Sequence, residues 1–234
     1  MSSPWGDEVV EGRYDGHPGL VYRERPTAFA DLFSGVDRWA ARTFLVHGER
    51  RISFGEFFAA IDGSRDRLTT HGIQPGDRVM LLAYNSPEWV LAFWAIWAVG
   101  AVPVLGNRWW SNSEAAHCLE LVGPRAVVTD SPGLLPEAVS VLDVTALQDD
   151  FAAGVAESPV IPGPLDEDDP AVVLFTSGST GMPKAVELPF RSVVANQQNV
   201  LARSRQLPHL IPADGPQAVN LISTPLFHIG AFAT

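Results

Sequence analysis

The chain has 234 residues, of which 46% are hydrophobic and 18% charged, a composition typical of a folded protein and not of a disordered one. Its formal net charge of −11 disfavours binding of nucleic acid or of anionic membrane surfaces through a general basic field, although a local phosphate site requires only a few residues. A single cysteine, Cys118, excludes a disulfide framework within the chain, and the first residues lack the basic start and apolar run of a secretory signal, so we expect a cytoplasmic protein.

The first third of the chain carries signals for two helices and a hairpin. Apolar residues at helical spacing predict an amphipathic helix over residues 29–40. The short runs at residues 44–46 and 51–53, on either side of residues 47–50, predict a β-hairpin. Ser53 and Glu56 have the spacing of a capping box, which predicts a helix from Ser53 to about residue 70.

A long uncharged stretch follows. Residues 89–107 carry no charge over 19 positions, which reaches the ~18-residue length of a membrane-spanning helix. Gly100 and Pro103 interrupt the stretch, and the apolar residues before Gly100 recur at helical spacing. We therefore predict a buried helix followed by a buried strand, each too short to span a bilayer, and no membrane span.

The middle of the chain alternates between strand and helix signals. Helix-start signals stand at Ser86 and Ser111. Short apolar runs predict buried strands at residues 79–82, 102–105, 126–129, 139–142 and 172–175. Strands separated by helices of this length imply right-handed crossovers, so the sequence indicates the α/β class, with a mainly parallel sheet flanked by helices.

A change in composition predicts a division of the chain into two subdomains. Residues 151–169 are rich in proline, glycine, alanine and acidic residues, including the run SPVIPGPLDEDDP, and we predict that they form a linker. This linker separates an N-terminal α/β subdomain at residues 1–150 from the start of a second α/β subdomain at residues 170–234.

The predicted strand at residues 172–175 leads directly into the segment TSGSTGMPK, residues 176–184, which we call the phosphate loop. Glycines allow a backbone path that turns several N–H groups toward an anion, hydroxyl side chains add donors, and the lysine adds a positive charge for a polyphosphate. A position after a buried strand is also where α/β sheets place ligands. The candidate phosphate-binding residues are Thr176, Ser177, Gly178, Ser179, Thr180, Gly181 and Lys184.

The residues of this loop also allow two other interpretations. A run of small residues is typical of a flexible surface turn. A P-loop NTPase would require a glycine directly before the lysine and a hydroxyl residue directly after it. Here Met182 and Pro183 precede the lysine and Ala185 follows it, so the loop is not a standard Walker loop.

TSGSTGMPK closely resembles the phosphate-binding signature of the adenylate-forming superfamily, which includes acyl- and aryl-CoA ligases, firefly luciferases and nonribosomal peptide adenylation domains. Residues 223–234, STPLFHIGAFAT, resemble the next motif of that superfamily, PLFHxxG. Residues 72–107 resemble the superfamily's stretch GDxV followed by N-S-x-E. The resemblance covers the chain from about residue 29 onward and implies an incomplete N-terminal domain of such an enzyme, closest to the acyl-CoA ligases of fatty-acid metabolism.

The resemblance implies a two-step reaction that uses ATP, Mg²⁺ and coenzyme A. The carboxylate of a fatty or aryl acid attacks the α-phosphate and displaces pyrophosphate, and a thiol then displaces AMP to form a thioester. The phosphate-loop residues would contact the β- and γ-phosphates. His228 in PLFHIG would shape and polarise the substrate pocket, although a histidine in an apolar run is otherwise typical of a packed core residue. The metal ligands are not assigned.

Four features depart from the superfamily pattern or need their own interpretation. Ala185 replaces the usual glycine after the lysine, so a positive φ at this position is not expected. Phe190 stands where the superfamily often has histidine. Trp109 and Trp110 are bulkier than usual, and we interpret them as an aromatic lid on a groove or core, with an acyl-tunnel wall or a partner surface as the alternative. Cys118 is predicted to be a core residue and not a nucleophile.

Members of the superfamily are substantially longer than 234 residues. We therefore expect this chain to be an N-terminal portion that binds ATP weakly and does not turn over. The alternative is a naturally short, noncatalytic module that binds nucleotide or acyl groups. In an incomplete domain, residues 219–222 would lie near a sheet edge, where pairing with a second copy is expected.

Overall fold

The computed structural model describes residues 3–14, 16–132, 135–136, 139–156, 166–177 and 181–232. The strands are β1 (Val9–Tyr14), β2 (His17–Tyr22), β3 (Thr43–His47), β4 (Arg50–Ser53), β5 (Arg78–Leu82), β6 (Val102–Leu105), β7 (Ala126–Thr129), β8 (Val141–Asp143), β9 (Pro170–Thr176) and β10 (Lys184–Pro189). The α-helices are α1 (Phe54–Thr70), α2 (Pro87–Val99), α3 (Asn112–Val122), α4 (Phe190–Ser204) and the short α5 (Ile229–Phe232). Short 3₁₀ helices cover Phe29–Phe33, Asp37–Trp39, Val144–Ala152 and Pro208–Leu210.

Six of these strands form one sheet in the order β10-β9-β6-β5-β7-β8. Four neighbouring pairs are parallel, and β9 with β10 is the antiparallel pair. Strands β5, β6 and β7 are buried almost throughout, which is typical of parallel strands covered by helices on both faces. The predicted α/β class, with a mainly parallel sheet flanked by helices, is thus confirmed. The predicted hairpin is also present, as β3 and β4.

Side-chain caps start three helices where the sequence predicts them. At the start of α1, Ser53 Oγ accepts a hydrogen bond of 3.2 Å from the Glu56 amide, and the Glu56 carboxylate accepts one of 2.7 Å from the Ser53 amide. Ser111 caps α3 by the same reciprocal arrangement, and Ser86 caps α2 with a single side-chain bond. The capping-box predictions are therefore confirmed.

The uncharged stretch at residues 89–107 folds as most of α2, a turn and β6. Gly100 ends α2 in the left-handed region, with a φ of 82°. Nearly every residue of α2 and all four of β6 are buried, which confirms the prediction of a buried helix followed by a buried strand. In the described part of the chain, no helix combines the length and the hydropathy that crossing a membrane requires.

The predicted amphipathic helix over residues 29–40 is wrong. Two short 3₁₀ helices, Phe29–Phe33 and Asp37–Trp39, occupy this region instead. Gly35 lies between them with a φ of 73°, a left-handed conformation that interrupts the helical hydrogen-bond series. Phe29 is nevertheless buried in the core. The apolar spacing therefore predicted the burial of Phe29 correctly but predicted the wrong type of helix.

The hydrophobic core is centred on α2. Trp97 of this helix is 4% exposed, and its ring centroid lies 5.5 Å from that of Phe29, 4.6 Å from that of Phe93 and 6.0 Å from that of Phe190. Its indole Nε1 donates a hydrogen bond of 2.6 Å to the carbonyl of Ala171 on β9. Trp97 therefore joins α2 both to α4 and to the strand that leads into the phosphate loop.

Strands on both sides of the predicted linker belong to the same sheet. β9, which follows residues 151–169, pairs with β6, which precedes them. Residues 157–165 of the linker lie outside the described residues. The division into subdomains at residues 151–169 stays a prediction.

Residues 219–222 belong to no strand. Val219 and Leu221 are 90% and 92% exposed, so nothing in the described part of the chain covers them. Pairing of this segment with a second copy stays a prediction.

Candidate functional site

The carboxyl ends of five parallel strands lie at one edge of the main sheet, and four of these strands lead into the segments of the site. Because β5, β6, β7 and β9 run parallel, their carboxyl ends lie on the same side, which we call the carboxyl edge. The residues that follow these strands are Tyr84 and Asn85 after β5, residues 107–110 after β6, Asp130 after β7 and Ser177 after β9. In open α/β sheets, ligands bind outside the carboxyl ends of the strands.

The two ends of the phosphate loop belong to the hairpin formed by β9 and β10. β9 ends at Thr176 and β10 begins at Lys184, and these two residues are paired across the hairpin. Thr176, Ser177, Gly181 and Lys184 are exposed, and Gly181 has a φ of 89°, which favours glycine. Gly178, Ser179 and Thr180 lie outside the described residues. The structure thus places the ends of the loop at the carboxyl edge, and anion binding by its seven candidate residues stays a prediction.

Lys184 supplies the positive charge of the loop. It is the only lysine of the chain, whose other basic residues are arginines and histidines. None of the ion pairs between described residues includes it. An exposed ammonium that no carboxylate of the described residues neutralises is suited to a polyphosphate.

The two departures next to the loop have structural explanations. Ala185 pairs with Phe175 inside the β9–β10 hairpin, and its φ is not positive, so a glycine is not required at this position. Phe190 begins α4 and is fully buried against Trp97. Phe190 is therefore a core residue that joins α4 to α2.

The side chain of Asn85 attaches the PLFHIG segment to the carboxyl edge. Asn85 Nδ2 donates a hydrogen bond of 2.8 Å to the Thr224 carbonyl, and Asn85 Oδ1 accepts one of 2.8 Å from the Leu226 amide. His228, two residues further on, is exposed, and its Nδ1 accepts a bond of 3.2 Å from the Gly230 amide. His228 is thus not a packed core residue. The sequence interpretation included Asn85 in a motif but missed this positioning role.

Aromatic side chains surround the same attachment. The ring centroid of Trp109 lies 5.5 Å from that of Tyr84 and 5.7 Å from that of Phe227. Trp109 is 58% exposed, whereas Trp110 packs edge-to-face on Phe175, 4.8 Å away and just before the phosphate loop. The two tryptophans therefore differ in role, since Trp110 supports β9 and Trp109 belongs to an exposed aromatic patch at the carboxyl edge.

An ion pair that the sequence did not reveal holds the β5, β6 and β7 ends together. Arg108 Nε lies 2.6 Å from Asp130 Oδ1, and Asp130 Oδ2 accepts a bond of 2.8 Å from the Tyr84 amide. Burial by itself would raise the pKa of Asp130, but the hydrogen bonds from the Tyr84 amide, Arg108 and Ser131 together lower it. The carboxylate stays ionised at neutral pH and is engaged in structural bonds.

The described residues contain no group of three or more His, Cys, Asp or Glu side chains that could hold a metal ion. Mg²⁺ in nucleotide sites is usually held by phosphate oxygens and water together with one or two carboxylates. The one carboxylate identified above at this edge, that of Asp130, is paired with Arg108. We therefore assign no residue to Mg²⁺.

Cys118 is fully buried on α3, among the residues that pack on the sheet. Burial disfavours the thiolate and, with a smaller contribution from the charge of Glu114, raises the pKa of the thiol to about 12. The prediction that Cys118 is a core residue is confirmed, since a nucleophilic cysteine requires a lowered pKa.

We expect Cys118 in the folded chain to resist thiol reagents at pH 8. A thiol of pKa about 12 has a thiolate fraction roughly a thousandfold smaller than one at the ordinary value of 9.0. Because the unfolded thiol loses its proton first, the free energy of unfolding should also fall as pH rises above about 9. Thiol titration with and without denaturant measures the first effect. Rapid labelling of the folded chain would contradict it.

Comparison with known proteins shows which family the chain resembles. A family model described as AMP-binding enzyme matches residues 32–234. The chain is 30% identical over 199 residues to the 2-succinylbenzoate–CoA ligase of Bacillus subtilis (strain 168). This match covers 82% of the chain and 38% of that protein. The chain is also 27% identical over 179 residues to the medium/long-chain-fatty-acid–CoA ligase FadD6 of Mycobacterium tuberculosis. This second match covers 71% of the chain and 28% of that protein.

Solved structures show the same fold. O-succinylbenzoate coenzyme A synthetase from Bacillus subtilis, in complex with AMP, superposes with a TM-score of 0.66 at 27% identity, over 86% of this chain and 51% of that one. The N-terminal subdomain of NpsA from Klebsiella oxytoca, in complex with 3-hydroxybenzoyl-AMSN, gives 0.62 at 26% identity, over 74% and 43%. This chain spans less than two fifths of the length of the two ligases matched by sequence. With a family model that matches all but the first 31 residues, the chain belongs to the AMP-binding enzymes of the adenylate-forming superfamily.

Proposed function

We propose that the chain is the N-terminal portion of an ATP-dependent acid–thiol ligase. In the first step, a carboxylate oxygen of the acid attacks the α-phosphorus of ATP, the bond to the bridging oxygen breaks, and pyrophosphate leaves with that electron pair. In the second step, the thiol loses its proton to water and its sulfur attacks the acyl carbon, the bond from that carbon to the phosphate oxygen breaks, and AMP leaves with that electron pair. The observation that supports this proposal is that the phosphate loop and the PLFHIG segment lie at the same edge of the sheet.

The phosphate loop is proposed to hold the β- and γ-phosphates. Negative charge accumulates on the leaving pyrophosphate, and donors that are already in place stabilise it without reorganisation. The exposed ammonium of Lys184 and the exposed hydroxyls at the start of the loop are suited to this role. Mg²⁺, when bound, would supply further neutralisation of phosphate charge. The proposed contacts come from Thr176, Ser177, Gly178, Ser179, Thr180, Gly181 and Lys184.

His228 is proposed to shape and polarise the substrate pocket. Its ring is exposed, and the acceptance of the Gly230 N–H by Nδ1 leaves the proton of the neutral ring on Nε2. An Nε2–H donor beside a carboxylate would orient the attacking oxygen. Asn85 binds the backbone at Leu226, which lies two residues before this histidine.

The substrate class is proposed to be a fatty or an aryl acid. The relatives at 27–31% identity include ligases named for 2-succinylbenzoate, for medium- and long-chain fatty acids and for 3-hydroxybenzoate. The exposed aromatic patch around Trp109 offers an apolar surface next to PLFHIG for either acid. Coenzyme A is the proposed thiol, because most of these relatives are CoA ligases by name. A role in fatty-acid metabolism and a cytoplasmic location are part of the proposal.

We expect the 234-residue chain to bind ATP weakly and to give no ATP–pyrophosphate exchange. The chain spans 38% of the 2-succinylbenzoate–CoA ligase that it matches, and the phosphate loop is the one nucleotide-binding segment that the resemblance assigns to it. Isothermal titration with ATP and a pyrophosphate-exchange assay with several acids measure both properties. A strong exchange signal would show that the chain is catalytically sufficient.

Two other outcomes bear on the function itself. Tight nucleotide or acyl binding without exchange would favour the noncatalytic binding module. Failure of both ATP and inorganic tripolyphosphate to bind at millimolar concentration would overturn the proposed role of the phosphate loop.

A further inference from the structure

α3 carries a histidine that contacts the phosphate loop from outside the β9–β10 hairpin. His117 Nε2 lies 3.2 Å from the carbonyl oxygen of Pro183, the residue directly before Lys184. A carbonyl oxygen only accepts hydrogen bonds, so Nε2 carries the proton in this contact. The two residues are 66 positions apart, and neither the loop motif nor the resemblance assigns a role to His117.

The helix that carries His117 is firmly attached to the sheet. Cys118, Leu119 and Val122 of α3 are buried in the cluster that covers one face of the sheet, and Ser111 caps the start of the helix. His117 itself is half-buried. A contact from this side chain therefore connects the loop to a rigid part of the fold.

A cleft of about 320 Å³ separates α3 from the end of the loop. Its lining consists of His117, Leu121, Met182, Pro183, Lys184 and Ala185. The imidazole and the only lysine of the chain thus line the same cleft. The position of the loop end decides where the Lys184 ammonium stands relative to an anion on the loop.

We propose that His117 is a positioning residue for the phosphate loop, donating Nε2–H to the Pro183 carbonyl so that Lys184 enters β10 from a defined point. Proline has no N–H, so at residue 183 the carbonyl is the one backbone group available for anchoring. Gly181, two residues earlier, has a φ of 89° and gives the loop conformational freedom that an anchor must limit. A loop that is held before the anion arrives loses less conformational entropy on binding.

The inference rests on the proposed phosphate-binding role of Lys184, and two measurements separate the two claims. The first needs no ligand. Hydrogen exchange at residues 181–186, followed by mass spectrometry, is compared in the wild-type chain and in His117→Phe, which keeps a ring but removes the donor. His117→Gln, which retains an N–H at a similar reach, is the rescue variant.

The second measurement is the affinity for inorganic tripolyphosphate. We expect His117→Phe to weaken it about 3- to 10-fold, the effect of losing one neutral hydrogen bond, and His117→Gln to restore most of it. The matched control is His71→Phe, because the exposed His71 ring also contacts a backbone carbonyl, that of Arg67 at 3.0 Å, but at the end of α1. This control should change neither measurement.

The inference is supported if exchange at residues 181–186 is faster in His117→Phe and returns to the wild-type rate in His117→Gln. It is overturned if exchange in His117→Phe is unchanged, whether or not tripolyphosphate binds. Faster exchange in His117→Phe, together with a tripolyphosphate affinity equal to that of the wild type, would likewise overturn it. The contact would then stabilise the loop without positioning Lys184. Loss of binding in Lys184→Met is the separate test of the proposed function.

Discussion

Replacement of Lys184 by methionine is expected to weaken the binding of ATP and tripolyphosphate about 10- to 100-fold. Methionine keeps much of the side-chain length but removes the ammonium, and hydrogen bonds to charged groups contribute about 1.5–3 kcal/mol. Lys184 is exposed at the start of β10, so the change should leave the free energy of unfolding nearly constant. Titration calorimetry at one fixed ionic strength, with chemical denaturation alongside, measures both quantities.

The control for Lys184→Met is Arg203→Met, which removes one positive charge from an exposed position on α4. This variant should bind tripolyphosphate as the wild type does. An equal loss of affinity in both variants would indicate a general effect of net charge and contradict a local site. Because Lys184 is the only lysine, an amine-reactive reagent modifies one side chain besides the N-terminal amine, and tripolyphosphate should slow that modification.

Replacement of Trp97 by alanine is expected to lower the free energy of unfolding by about 3–5 kcal/mol, a large part of the 5–15 kcal/mol typical of a domain. The ring is 4% exposed and packs against aromatic residues from other elements, including Phe29 and Phe190. Trp97→Phe retains most of this packing but leaves the Ala171 carbonyl without its 2.6 Å partner, so a smaller loss of about 1–3 kcal/mol is expected. Urea denaturation followed by circular dichroism measures both.

Trp109→Ala provides the matched control for this series. Trp109 is 58% exposed at the carboxyl edge, so its removal should cost less than about 1 kcal/mol. A similar loss of stability in Trp97→Ala and Trp109→Ala would show that α2 is not the centre of the core. A change in tripolyphosphate affinity in Trp97→Phe, in chains that remain folded, would show that the support of β9 reaches the phosphate loop.

Local patterns in the sequence were sufficient for most of the helices and strands. The Ser53 capping box and the apolar runs of β5, β6 and β7 depend on residues that are neighbours along the chain. The prediction of a helix over residues 29–40 was wrong because Gly35 adopts a left-handed conformation. The apolar spacing of the sequence does not indicate that conformation.

The β1–β2 hairpin was not predicted, because its strands are largely exposed and show no clear alternation. Its ends are held from another part of the chain. Gln198 Nε2 on α4 donates to the Gly6 carbonyl at 2.7 Å and to the Glu24 carbonyl at 2.8 Å. Contacts across 192 and 174 positions have no signal in a local window.

The sequence by itself determined the chemistry of the candidate site. At any position in a fold, glycine supplies conformational freedom, a hydroxyl supplies a hydrogen-bond donor and lysine supplies a positive charge. The tertiary structure decided how the supporting residues are used. It buried Phe190 against Trp97, and it brought Asn85 to the PLFHIG backbone and His117 to the end of the phosphate loop. These assignments depend on which elements the sheet order makes adjacent, and that order follows from packing of the whole chain and not from any single segment.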